Sequence, residues 1–166
     1  MGVRIAGDLS SLTRALQKAS RLDIQNRVGK PAGAALQAST RERFRTSKGP
    51  DGKPWRPLSE TTVQLGFKKK DYTKSGRLRK GVAEREAKRL ILVQSARLKN
   101  SVSFKAEGTQ VAVGTNVAYG RIHQLGGKAG RKKKVTIPAR PYLGVSDADQ
   151  REVERLAERM LEEPFR

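Results

Sequence analysis

Cysteine is absent from this 166-residue chain, which excludes disulfide frameworks, zinc fingers and thiol chemistry together. A reducing compartment is compatible with that absence. Histidine is nearly absent: His123 stands alone, so a metal site with several imidazole ligands is excluded. A Ser–His–acid triad would have to use that one ring, and no G-x-S-x-G nucleophile elbow accompanies it. No phosphate-binding P-loop and no dinucleotide glycine fingerprint are present either. With every recognisable reactive constellation missing, no enzyme is expected, and no cofactor, metal or catalytic residue is assigned. Aromatic residues make up only 5% of the chain, so aliphatic side chains must supply most of a modest core. Long apolar runs are missing too. The opening residues Met1 to Asp8 do not read as a secretory leader. No stretch approaches the ~20 apolar residues of a membrane span, so a soluble protein without membrane contact is expected.

Negative charge is also scarce. Thirty-six Lys and Arg face sixteen Asp and Glu, a formal net charge of +20. A surface so cationic attracts polyanions, whether nucleic acid, acidic lipid or acidic protein. Neither a zinc finger nor an aromatic-rich ribonucleoprotein signature is present, so only sequence-independent phosphate contact is expected of it. The balance reverses near the end. From Asp147 to Glu163 seven acids accompany three arginines, net −4. Opposite signs on one small protein suit head-to-tail contacts between copies, or contacts with different neighbours.

What is present reads as one α+β domain spanning residues 1–166. Leu9, Leu12, Leu16 and Ala19 predict a helix over 8–22 capped by Asp8. A second helical stretch runs from Ile24 to Arg45. Gly29-Lys30-Pro31 interrupts it, and Pro31 suits the first turn of the part that follows. Residues 46–90 carry the weakest pattern. They include the turn-rich run Thr46 to Pro54 and a basic arm at about 66–90, which can be extended, solvated or ordered only on assembly. Val102, Phe104 and Ala106, then Val111 and Val113, alternate as a β-hairpin should. Asn116 is the expected cap of a short helix with Ala118, Ile122 and Leu125 on one face, ended by Gly126-Gly127. Lys128 to Lys134 reads as an exposed basic loop, and Val135 to Ile137 as a strand stopped by Pro138. Val153, Leu156, Ala157, Met160 and Leu161 mark a closing amphipathic helix. Ser146 or Asp147 caps it, with Asp147-x-x-Gln150 resembling a capping box. The expected fold is therefore a small, mostly antiparallel sheet packed by N-terminal helices and a C-terminal amphipathic helix.

Four segments carry a resemblance. Phe44 and Asp51-Gly52-Lys53-Pro54-Trp55-Arg56-Pro57-Leu58-Ser59, with Thr61 or Thr62, are similar to a "DGKPW-x-PLS-x-x-T" signature. Ile91-Leu92, Ser95, Arg97, Leu98 and Ser101 resemble "IL-x-x-(S/T)G-x-L-x-x-S". Val113-Gly114-Thr115, Tyr119 and Ile122-His123-Gln124-Leu125-Gly126 resemble "VGT…YA-x-IHQFG", and Ile137 to Gly144 resembles "IPARPFLG". These are segments of the phage virion morphogenesis, or tail-completion, proteins of Mu-like and related tailed phages. Ala96 stands where that family favours glycine, and Gly120 where alanine is common. The basic run from Lys68 to Arg89 lengthens the stretch before Ile91.

The resemblance implies a structural virion protein of the head–tail junction, a tail terminator, tail-completion or neck-ring subunit. It would be present in the host cytoplasm during assembly. Its implied partners are further copies of itself, in a hexameric or dodecameric ring, together with connector or portal-side proteins and tail-tube proteins. Non-specific contact with genomic DNA is open, and a general nucleic-acid-binding protein is the competing class. Candidate interface residues are Lys68, Lys69 and Lys70 of the arm and Arg131, Lys132, Lys133 and Lys134 of the loop, all too charged to be buried unpaired. Tyr119 and His123, neighbours on the short helix, can line a contact between copies, or His123 can be structural. Trp55 and the proline-flanked Arg140 can anchor a neighbouring copy or complete the monomer core, and both readings stand at this point.

Overall fold

The computed structural model describes residues 3–6, 25–107 and 110–162. The helix expected over 8–22 lies outside them. Strand β1 (Val3–Ala6) is followed by a π-helical turn (Gln25–Gly29) that runs directly into α1 (Lys30–Thr46). Pro31 falls within the first turn of α1, directly after the π-helical turn. Short helices α2 (Glu60–Gln64), α3 (Val82–Ala87) and α4 (Arg97–Asn100) lead to the hairpin β2 (Val102–Glu107) and β3 (Gln110–Thr115). Helix α5 (Gly120–Leu125), strands β4 (Gly127–Ala129) and β5 (Val135–Ile137) and helix α6 (Asp147–Glu162) complete the chain.

β1, β3 and β2 form a three-stranded antiparallel sheet with β3 central, and β4 and β5 pair as a separate small antiparallel ribbon. The fold class is α+β, as the hydrophobic periods require. In the hairpin Val102 faces Thr115, Phe104 faces Val113 and Ala106 faces Val111, so the inward residues of both strands coincide on one side. Helix α1 lies across that side. Its Ala32, Gly33, Leu36, Thr40, Arg43 and Phe44 form a buried stripe at helical spacing. Gly33 sets the approach: a Cβ there would stand 2.3 Å from the Phe104 ring. Gln37 and Arg41 donate to the Val102 carbonyl at 2.6 and 3.3 Å, tying α1 to the start of β2.

Helix α6 packs on α1 with Val153 and Ala157 inward. Its start differs in detail from the expected box. Ser146 caps it, accepting from the Asp149 N–H at 3.2 Å, while the Asp149 carboxylate accepts from the Ser146 N–H at 2.8 Å. Gln150 instead donates to Glu154. Asn116 does not cap α5, because the helix begins four residues later, and Tyr119 occupies the cap position with no side-chain hydrogen bond. The buried residues of α5 are Gly120 and Gln124, while Ala118 and Leu125 are exposed. The apolar face read from the sequence is therefore not the face that packs, because the amide of Gln124 is drawn inward to satisfy backbone groups described below.

The basic arm is turns and short helices rather than a single extended segment. A tight turn at Lys69–Asp71 buries the Asp71 carboxylate, which accepts from the Lys68 N–H at 2.8 Å and from Arg85 at 2.9 Å. The Lys68 N–H, first among causes, and the Arg85 side chain hold that carboxyl below its usual range. α2 and α3 pack on each other across this turn. The segment Lys128 to Lys134 is the β4–β5 ribbon and its tip, not an unstructured loop. Lys132 and Lys133 at the tip adopt left-handed backbone angles, with φ of 57° and 54°.

Candidate functional site: a scaffolded groove beside a basic hairpin

The four sequence segments meet around the irregular stretch 138–146. An irregular chain passing through a protein interior must have its backbone polar groups satisfied by side chains. Trp55 donates its indole N–H to the Pro141 carbonyl at 2.8 Å and packs edge-on against Phe44, whose other side meets Tyr142. Arg43 donates to the carbonyls of Tyr142 and Gly144 at 3.0 and 2.8 Å and forms a buried ion pair with Asp149. The Gln124 amide donates to the Leu143 carbonyl and accepts from the N–H groups of Tyr142 and Leu143, each at 2.9 Å. Arg140 donates to the carbonyls of Arg56 and Pro57, each at 2.9 Å.

Each segment has a local reason for its residues. Asp51 accepts from the Lys53 N–H at 3.1 Å and Gly52 turns the chain at φ 74°, which returns it so that Trp55 faces Phe44. Ser59 caps α2 through the Thr62 N–H and pairs with the Thr62 hydroxyl, which selects Thr62 rather than Thr61 as its partner. Ser101 meets Thr115 at 2.6 Å, joining the end of α4 to β3. Gly126 ends α5 at φ 72° where a Cβ would stand 2.8 Å from the Ala139 nitrogen, so the helix can stop against the stretch only with glycine.

Trp55 and Arg140 are therefore engaged inside the monomer, both buried, with the indole N–H and the Nε and Nη2 of Arg140 donating to the chain's own carbonyls. Arg43, Gln124 and Asp149 were not singled out from the sequence. Two signals were available: Arg43 falls on the apolar stripe of α1, where a solvated arginine would not belong, and Asp149 follows Ser146 at capping-box spacing.

On the outside of this scaffold lies a groove of ≈ 1100 Å³. The Arg56–Ser59 segment forms one wall, the turn carrying Leu90 and Leu92 another, and β5 a third, with Tyr119 at the cap of α5 and the half-buried His123 lining the groove between them. Leu90, Tyr119 and Val135 are large apolar groups left exposed along it, at 46%, 39% and 56% of their full surface. The His123 ring packs edge-on against Tyr119 at 5.8 Å, and its buried Nδ1 has no hydrogen-bond partner. Burial, then the Arg140 charge, pushes the imidazole below its usual value, so the ring is neutral near pH 7.

The β4–β5 ribbon rises from the edge of the groove. Lys128, Arg131, Lys132, Lys133 and Lys134 are all exposed on it, and among the described residues none forms an ion pair. In the arm, by contrast, Arg85 and Arg89 are paired with Asp71 and Glu86, while Lys68, Lys69 and Lys70 are exposed and unpaired. No group of three or more His, Cys, Asp or Glu residues able to hold a metal ion occurs among the described residues. No helix among them is long and apolar enough to cross a membrane.

Residues 8–162 match the profile of the phage virion morphogenesis family, nearly the whole chain. The chain belongs to that family. A curated relative, the Mu-like prophage FluMu G protein 2 of Haemophilus influenzae, is 44% identical over 62 residues, covering 37% of this chain and 45% of the relative. The match thus spans less than half of that relative's length. No solved structure matches the chain. For this virion morphogenesis protein Trp55 of the first segment and Gln124 of the third hold the backbone of the fourth, and Arg43, outside those segments, adds two further bonds to it. The groove and the ribbon lie on the outside of that scaffold.

Proposed function

We propose that the protein is a non-enzymatic structural subunit of the head–tail junction, which forms a ring, completes the tail and supports its joining to the head. The observation that carries this reading is membership of the virion morphogenesis family across residues 8–162. It is supported by the way the polar side chains of the 138–146 scaffold are spent on the chain's own backbone rather than gathered as a reactive cluster. The partners in this reading are further copies of the chain, connector or portal-side proteins and tail-tube proteins, met through the groove, the ribbon and the lysines of the arm. Reconstruction of particles tests it. An axial ring of this chain at the junction, a hexamer or failing that a dodecamer, is the expected image. A single copy bound off the axis contradicts it.

The ribbon favours a second reading, sequence-independent binding of nucleic acid, because five unpaired cations on a short protrusion suit phosphate contact. Binding to arbitrary duplexes that falls steeply with salt, by a protein that never enters particles, would make this the primary role. Binding by a protein that also forms the ring would place the cations against the genome inside it.

A further inference from the structure

The ring itself raises an electrostatic difficulty. Copies carrying a net charge of +20 repel one another, so a contact between them needs a local reversal of sign. One described element provides it. At ~100° per residue, Asp147, Glu154, Glu158 and Glu162 of α6 fall within about 80° of one another on the helix, with Arg151 among them. Val153 and Ala157 face the core, while Asp147, Glu158 and Glu162 are exposed and Glu154 is half-buried at the edge of the stripe. Glu152 and Arg155 sit on a neighbouring stripe and pair with each other, Gln150 donates to Glu154 at 3.1 Å, and Arg151 is the cation within the row, which stays net negative. The opposite partner is the tip of the β4–β5 ribbon, whose cations have no acid within reach among the described residues. The two surfaces differ, and a contact between different surfaces of identical copies is head-to-tail, the type that closes into rings.

We propose that the basic ribbon of one copy docks on the acidic stripe of α6 of the next, and that this contact sets the head-to-tail order of the ring. The proposal rests on the ring reading above. The charge match favours this occupant over DNA for a specific reason: the ribbon and the stripe account for each other, whereas DNA leaves the outward acids of α6 without a role in an otherwise cationic subunit. The ribbon is short and two-stranded, and the residues at its tip are exposed.

A charge exchange tests the contact in cells producing the phage. One variant reverses the ribbon (R131E/K132E/K133E/K134E), a second reverses the stripe (E154K/E158K/E162K), and a third combines both. Each reversal alone is expected to lower the yield of joined particles about 100-fold or more, and the combination to restore it to within about tenfold. Circular dichroism of each purified variant confirms that it is folded. Because the chain has no cysteine, K133C and E158C variants give a direct readout. When the two are mixed in assembling particles, a disulfide should link one variant to the other. Loss in both single reversals without recovery in the combination overturns the contact. Loss of duplex binding with the ribbon reversal, together with no recovery of joined particles in the combination, assigns the ribbon to DNA instead and likewise overturns it. Failure of the ring reading would look different: the unaltered chain would then be missing from the particle axis altogether.

Discussion

Gly120 and Tyr142 form a coupled pair in the interior. A Cβ at Gly120 would stand 2.7 Å from the Tyr142 hydroxyl oxygen and 2.8 Å from a Thr115 methyl. The family segments that this chain resembles carry alanine and phenylalanine at these two positions, so the hydroxyl here occupies room that a methyl group has there. That hydroxyl is buried without a hydrogen-bond partner, and burial pushes it up to about 12. Gly120→Ala alone should overpack the site and cost about 1–3 kcal/mol. Tyr142→Phe alone should be neutral or stabilising, since it removes an unsatisfied buried hydroxyl whose burial costs about 1–3 kcal/mol. The double variant should recover most of the first loss, as a strong coupling in a denaturation cycle. Additive effects would mean that the two positions do not share space. Arg43 presents the opposite case, a buried charge fully engaged. Burial lowers its affinity for the proton, and Asp149 works against that shift. Arg43→Met strands the Asp149 carboxylate in the interior, and urea denaturation should register a loss of about 3–5 kcal/mol.

Asp149 and His123 are among the residues that tie stability to pH. For Asp149 burial raises the proton affinity, but Ser39, Ser146 and Arg43 outweigh it, so the folded carboxyl lies below its usual value. Its contribution is present above the unfolded carboxylate range near ~3.9 and is lost as pH falls through the folded value. His123 acts at milder pH. Its folded value is depressed, so its contribution is complete above the unfolded value near ~6.5 and declines as pH falls below it. Melting temperatures between pH 7 and 5 should fall less steeply for His123→Asn than for the unaltered chain. Equal slopes would remove the imidazole from the account.

At the scale of elements, α4 begins under strain that the resemblance explains. Ala96 stands at φ 55°, a left-handed angle that glycine adopts freely, and glycine is what the family favours there. Ala96→Gly should stabilise the protein by up to about 1 kcal/mol, the left-handed penalty less the entropy added to the unfolded chain. The ribbon makes a contrasting prediction. Replacing Arg131, Lys132, Lys133 and Lys134 by serine should leave the melting temperature within a few degrees and weaken head–tail joining, since these side chains are exposed and form no ion pair among the described residues. Unfolding of that variant would assign the ribbon tip to the fold itself.

The elements also show what a sequence can disclose. The β2–β3 hairpin, α1 from Pro31 onward and α6 were legible because one face of each is buried by its own period, which writes alternation or a helical stripe into the residues. The cap of α5 and its packed face were not legible. Tertiary hydrogen bonds, not amphipathicity, decide which side of that helix turns inward, and Gln124 is a polar residue placed by the backbone it clamps. Trp55 and Arg140 were visible as unusual, but choosing between core and interface needed the position of the Pro141, Arg56 and Pro57 carbonyls, which lie far away in sequence. The groove was not legible at all, because its walls come from four separated segments.

At the scale of the whole molecule, the chain uses Trp55, Gln124 and the buried Arg43, Arg140 and Asp149 to hold one irregular stretch in place and leaves the lysines of its arm and ribbon outside. A cationic ribbon, an apolar-edged groove and an acidic helix stripe on one scaffold suit a subunit that meets several neighbours at once. The claim that joins these features is that the protein is a ring subunit at the junction of head and tail. A side-chain-resolution reconstruction of intact particles tests it most directly. The account predicts density for this chain in a closed ring on the particle axis between head and tail, with each ribbon against the α6 stripe of its neighbour. Density for a single off-axis copy, or none of this chain at the junction, would contradict it.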